Sequence, residues 1–570
     1  MARVVRVCVL VAALSAVVAG AGDDRLLTAV KAGDLQAVRA LVTARTNVNV
    51  RSGDGSTPLL WAAHNSDLEV ARALIAGGAD VNAVNHYGVT PLLDASRTGD
   101  AAMMALLIKA GADPKRAHPE GETPLMAAAR SGNVPAVRLL LEQKVDVNAA
   151  EKEQQTTALM RAAAEGHVDV VDVLLKAGAD PNRQAHVTSL TERTINSDHP
   201  TGGFTALMWA SRNGNEAVVR RLAEGGANLN LKNGDGASAT MIAIYNDRFD
   251  IAATLAKLGA DVNDGSLYVA IEMRESTTDQ FAFDGSRLRP NHPNTLTALD
   301  LMTLFLERGA DPNKPFAGQF HSSSMPNSDR FDNTPFYRAA ITADVEALKV
   351  LIAHGADLEQ TPAPPPAPAG PAPPAAGRGR GGNPNAGKTP AMVAMTGGRG
   401  PQMTGGPGYI RSGAVPYREP GSRKPEDAFV LLIKSGANPN AKAADGSTLL
   451  HQAAQAGNLT MIRALADAKV DFSQTNRDGL TALDVAEGKQ PAGAPAGRAA
   501  RGGPPPAGGG GRGRGGRGGT SRQEVAKLLR ELMGLPPAPA APAAEAPATP
   551  GQDAPAADPS DPAAAGSEVQ

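Results

Sequence analysis

Apolar positions along this chain fall in short paired clusters. They neither alternate nor run on. In "TPLLWAAH", from Thr57, the residues Leu59, Ala62 and Ala63 share one side of a short helix. A polar turn near Asn65–Asp67 follows. Val70, Leu74 and Ile75 then give the i, i+4, i+5 stripe of a second helix. Thr57 suits an N-cap and Pro58 the first helical position. Gly78 predicts a left-handed cap at the far end. The Asp80–Asn82–Gly88 stretch carries turn residues for an extended finger.

The same pattern returns at Thr90 and Thr123, with the three threonines 33 residues apart. Further copies begin at Thr157, Thr205, Ser238, Thr334 and Thr448. Most reach Gly-Ala-Asp or Gly-Ala-Asn after a Leu/Ile pair such as Leu74-Ile75, Leu174-Leu175 or Leu351-Ile352. A single unit cannot bury its own apolar face, but stacked units can. The unit resembles the ankyrin repeat, whose pattern is T-P-L-H-x-A-A-x-x-G-H followed by a second helix ending in G-A-D. The resemblance runs from about residue 24 to 535 with interruptions. It implies an all-α fold, a solenoid of about twelve helix-turn-helix repeats with β-turn fingers. "DRLLTAVKAGDLQAVRALVTARTNVNV", from Asp24, is a degenerate N-terminal cap.

One departure stands out. Where the family has His after Pro-Leu, this chain has Leu60, Leu93, Met126, Met160 and Met208; only His451 keeps it. In the family that His helps bond one repeat to the next, so apolar packing is expected to replace a polar ladder between repeats.

The period is interrupted near residues 183–203, 275–297, 314–333, 361–387, 397–425 and 488–520. These segments lack periodicity, several are rich in Pro, Gly or Arg, and they are expected to be disordered or loosely ordered. "TALDVAEGK" from Thr481 and "SRQEVAKLLRELMGL" from Ser521 read as two halves of one last capping repeat. The expected organisation is a signal peptide over 1–21, the solenoid over 22–535 and a disordered, acidic Pro/Ala-rich tail over 536–570.

Composition adds the export reading. Arg3 and Arg6 precede an apolar run from Val7 to Val18, and Ala19 and Ala21 suit cleavage after Ala21. The run is short for a membrane span, so no stable membrane insertion is expected after cleavage. The only cysteine, Cys8, lies in this segment. The mature chain therefore has no disulfide, thiol nucleophile or Cys-ligated metal. Ala/Arg/Pro/Gly-rich usage fits a bacterial periplasmic or secreted protein. The formal net charge of −2 gives no sign of a nucleic-acid partner.

Candidate chemistry is sparse. "GGNPNAGKTP" matches the phosphate-loop spacing from Gly382 through Lys388 to Thr389. A phosphate loop needs a buried strand before it. Here a Pro/Ala/Gly run precedes it, and Pro384 removes one N–H from the cradle. The match is read as chance, with Thr389 as a helix cap. The Arg/Gly tract near 498–522 has no interleaved aromatic, so it does not read as an RNA-binding element. The histidines form no metal-binding spacing, and no G-x-S-x-G nucleophile motif appears. No cofactor and no metal are expected.

The informative variation lies at the fifth position of each repeat. It holds Trp61, Asp94, Ala127, Arg161, Trp209, Ile242, Arg338 and Gln452. The resemblance implies that this position faces a concave, protein-binding side. Trp61, Asp94, Arg161, Trp209 and Arg338 are the candidate partner-binding residues, Trp and Arg being favoured at hot spots. Packing of the two tryptophans across neighbouring repeats is the other reading. The function expected is a non-enzymatic protein-interaction scaffold. The rival readings are an enzyme with a site built on the long insertions, and a structural envelope or surface-polymer-binding protein.

Overall fold

The computed structural model describes residues 25–188, 201–234, 236–275, 294–316, 334–362, 387–396, 421–443, 445–489 and 522–537. The expected signal peptide, nearly all of the acidic tail and the interiors of the long insertions lie outside these residues. The described chain is a stack of helix pairs. It opens with 25–31 and Leu35–Thr43, continues with Pro58–His64 and Leu68–Ala76, and ends with Ala482–Glu487 and Arg522–Leu532. Where a pair is split by an insertion, its halves still pack together, as Ser266–Glu275 with Ala298–Glu307 and Pro390–Thr396 with Pro425–Lys434.

Local chemistry sets the helix ends. The side chains of Thr57, Thr90, Thr123, Thr157, Thr205, Thr334 and Thr448 each accept the N–H three residues on, at the start of the first helix of a pair. Asp34, Asp67, Asp100, Asn133, Asp344 and Asn458 cap second helices in the same way. Gly99, Gly132 and Gly166 end first helices in the left-handed region, and a Cβ on Gly132 would come within 2.5 Å of the His167 ring.

One apolar core runs along the whole stack, from Leu26 to Leu529. First helices bury small residues such as Ala62, Ala95, Ala128, Ala162 and Ala210. Their backbones approach closely, and they contact one another more extensively than the second helices do. The first helices therefore form the more closely packed, inner row of the stack and the second helices its outer row.

The expectation that apolar packing alone joins the repeats needs correction. His451 does bridge repeats, its Nδ1 2.8 Å from Thr448 Oγ1 and its Nε2 2.8 Å from the Leu480 carbonyl. In most other repeats buried Leu, Met or Tyr fills that place, and Met208 Sδ accepts the Thr205 N–H at 3.4 Å. A separate polar ladder is carried by an asparagine in the turn after the second helix of most repeats, as at Asn82, two residues past Gly78-Ala79-Asp80. Asn82 Nδ2 donates to the Gly111 carbonyl at 2.9 Å, and Asn82 Oδ1 accepts the Asp113 N–H at 2.8 Å. Asn49, Asn148, Asn182, Asn263 and Asn313 make the same two bonds to the next repeat. These residues are inter-repeat rivets as well as turn formers. Asn82→Ala is expected to lower stability by about 1 kcal/mol, read as a fall in denaturation midpoint, with Asn82→Asp retaining only the acceptor half. An unchanged midpoint for Asn82→Ala would show the rung to be energetically idle.

The edges of the insertions are also more ordered than expected. Val187–Thr188 pairs antiparallel with Thr201–Gly202, so the 183–203 segment opens as a two-stranded finger. Asn294 Oδ1 accepts the Phe249 N–H at 3.0 Å, fixing the end of the 275–297 segment. Phe316 is buried and stacks on Tyr268, ring centroids 5.1 Å apart. Each edge is held because it meets a packed repeat.

Candidate functional site: the inner-helix face

The fifth-position residues share one face because each occupies the same turn of successive first helices. Their environments differ. Trp61 is half-buried, with Lys31 Nζ 4.4 Å above its ring and the His64 ring edge-on at 5.9 Å. Its indole N–H is buried without a hydrogen-bond partner. Asp94 lies 3.1 Å from His64 Nδ1, joining two neighbouring repeats. Trp209 is half-buried, packed at 5.0 Å on Phe204, with the Arg212 guanidinium 5.4 Å from its ring centroid. Trp61 thus meets a cation of the preceding repeat and Trp209 an arginine of its own helix, and both keep part of their surface open.

Arg161 is half-buried between Ala127 and Trp209 in the row, and no carboxylate pairs with it among the described residues. Arg338 departs from its expected role. It is only 2% exposed, and its guanidinium is held by the buried Glu272, with Nη2 donating to Oε2 at 2.8 Å and Nε against Oε1. A guanidinium committed in this way does not belong to the open face.

Sequence reading missed a second row. The eighth position, one helical turn beyond the fifth, holds Lys31, His64, Arg97, Arg130 and Arg212 in five of the first six repeats, all exposed, with Ala164 in the other. Reading that column as the fifth was read would have found it. Arg97 is paired with Glu122 at 2.5 Å and Arg130 with Glu165 at 3.6 Å. Lys31 and Arg212 instead lie over the two indoles, a favourable arrangement of cation and ring face.

Carboxylates shifted in their acidity are scattered over loops and helices and hold local structure. Hydroxyls of Ser52 and Ser56 hold Asp54 at about 2. Burial pushes Glu151 up, but backbone N–H groups of Thr156, Glu153 and Gln154 outweigh it and hold the group low. Among the described residues no three metal-ligating side chains converge, and no helix is long and apolar enough to cross a membrane. Of the phosphate-loop match, Gly382 lies outside the described residues. Lys388 is half-buried, and Thr389 precedes helix Pro390–Thr396. The Thr389 carbonyl accepts the Met392 N–H at 3.0 Å, but its hydroxyl is buried without a hydrogen bond, so it is not the side-chain cap expected.

Comparison with known proteins agrees with this architecture. The family model described as ankyrin repeats (3 copies) matches residues 26–118, 111–185, 187–266 and 422–492. The Caenorhabditis elegans ankyrin repeat and KH domain-containing protein mask-1 is 33% identical over 105 residues, which is 18% of this chain and 4% of that protein. Bos taurus ankyrin repeat and SOCS box protein 3 is 34% identical over 109 residues, which is 15% of this chain and 20% of that protein. The chain thus spans a fifth or less of these relatives' lengths. The crystal structure of the human ASB11 ankyrin repeat domain aligns with a TM-score of 0.36 and 27% identity, covering 41% of this chain and 98% of that one. With the family model matching more than half of its residues, the chain belongs to the ankyrin repeat family.

Proposed function

We propose that this protein is a non-enzymatic scaffold, exported from a bacterial cell to the periplasm or beyond, that binds a protein partner on its inner-helix face. Membership of the ankyrin repeat family supports a protein-interaction role. Export rests on the residues 1–21 pattern of basic start, apolar run and small-residue cleavage site. The observation that carries the choice of face is the pair of half-open tryptophans, each with a cation over its ring. Such aromatic–cation groups supply large contact area at low entropic expense and are favoured at interface hot spots.

The test is cross-linking capture from the native envelope, using the mature protein and a Trp61→Ala/Trp209→Ala variant matched in helical circular dichroism. A partner held by the parent and lost by the folded variant supports the face. Equal capture by both would sink it and move attention to the fingers.

A further inference from the structure

The inner face is not electrically uniform, and one unbalanced stretch of it specifies a partner chemistry. Charges at its N-terminal end are largely matched. Asp94 answers His64, Glu122 answers Arg97 and Glu165 answers Arg130. Beyond Arg130 the matching stops. Arg161 and Arg212 sit on the adjacent inner helices Ala158–Glu165 and Ala206–Asn213, and neither meets a carboxylate among the described residues. Glu165, the acid nearest in sequence to Arg161, is turned to Arg130. The Trp209–Phe204 platform adjoins them: the Arg212 guanidinium is 5.4 Å from the Trp209 ring, and Trp209 holds on its helix the position Arg161 holds on the preceding one.

Arg161 Nε is already buried without an acceptor. A buried, unsatisfied charged donor is costly, and a carboxylate is the group that answers a guanidinium best, because two oxygens match its fork. Neighbouring helices are about 10 Å apart. In an extended polyproline II segment, residues i and i+3 lie on the same side about 9 Å apart. One segment can therefore place a carboxylate on each arginine and an apolar side chain on Trp209.

We propose that the stretch Arg161–Trp209–Arg212 receives an extended acidic segment of a protein partner, with two acidic residues three apart flanking an apolar residue. This deepens the scaffold reading and rests on it. A nucleic acid fits less well. Its phosphates need a continuous basic track, and here Arg97 and Arg130 are already neutralised.

The chain has two tryptophans, so 5-fluorotryptophan labelling of the mature protein gives two ¹⁹F signals, assigned with Trp61→Phe. The probe is a 16-residue Ser/Ala peptide carrying one Glu-Pro-Leu-Glu. Its controls are the Gln-Pro-Leu-Gln analogue and a thymidine oligonucleotide of equal charge. The expected result is a saturable shift of the Trp209 signal alone, at least tenfold weaker with the Gln peptide, weakened by raised salt, and abolished in folded Arg161→Gln/Arg212→Gln. Three results would each overturn the proposal: no Trp209 shift at millimolar peptide, equal response to the Gln peptide, or tighter binding of the oligonucleotide.

The Arg161→Gln/Arg212→Gln variant also enters the capture experiment. A partner still captured by it, yet lost by Trp61→Ala/Trp209→Ala, refutes the acidic-segment proposal and leaves the scaffold reading standing. A partner captured equally by all three proteins refutes both.

Discussion

Asp344→Ala is expected to destabilise the middle of the solenoid by about 3–5 kcal/mol, the usual loss when one member of a buried charge pair is removed. Asp344 is fully buried. Arg274, itself 1% exposed, donates to both its oxygens, Nε to Oδ2 at 2.6 Å and Nη2 to Oδ1 at 3.1 Å. Arg423 Nη1 lies 2.9 Å from Oδ1. The same carboxylate caps helix Val345–Ala353 by accepting the Ala347 N–H at 3.1 Å. It thus ties helix Ser266–Glu275 of one repeat to the next repeat and to the stretch leading into Pro425–Lys434. Repeat arrays unfold through their weakest interface when nearest-neighbour coupling is cut. Urea unfolding of the variant, followed by hydrogen exchange, should therefore split, the repeats before residue 240 keeping their midpoint while those around Asp344 open first. Asp344→Asn should lose less, because the amide oxygen can still cap. A single unshifted transition in Asp344→Ala would show that the cluster does not couple the two halves.

This cluster also marks the limit of what could be read from residues in order. The repeats were legible because their signals are local. Thr57 caps a helix three residues away, Gly78 ends one within a turn, and Val70 and Leu74 meet the core through their own helix. The asparagine ladder was legible only in part. Asn82 reads as a turn former, and its bonds reach a repeat about thirty residues on, where sequence offers no mark of an acceptor. The inner face was half-read for a different reason. The fifth position drew attention through its tryptophans, whereas the eighth-position cations vary in type from Lys31 through His64 to Arg97 and so form no obvious motif. The expectation for Thr389 failed because the threonine precedes a helix, as read, but its hydroxyl is not turned to the N–H groups.

Arg338 shows how the same positional logic can mislead, and it gives the second large effect. By register it belongs with Trp61 and Trp209. Its repeat, however, packs against a first helix that carries Glu272, 66 residues earlier in the chain, and the two charges close on each other in the interior. Arg338→Ala removes the guanidinium and leaves a cavity, so a loss of about 3–5 kcal/mol is expected, seen as a lower urea midpoint for the repeats around residues 266–353. Replacing both charges together, Glu272→Met with Arg338→Met, should recover most of that loss, because well-packed apolar side chains avoid the desolvation that the ion pair has to overcome. The recovered double variant should also capture partners as the parent does, since neither residue reaches the open face. The opposite pattern, an Arg338→Ala protein of parental stability that no longer captures its partner, would return Arg338 to the binding row and show that the interior pair opens in solution.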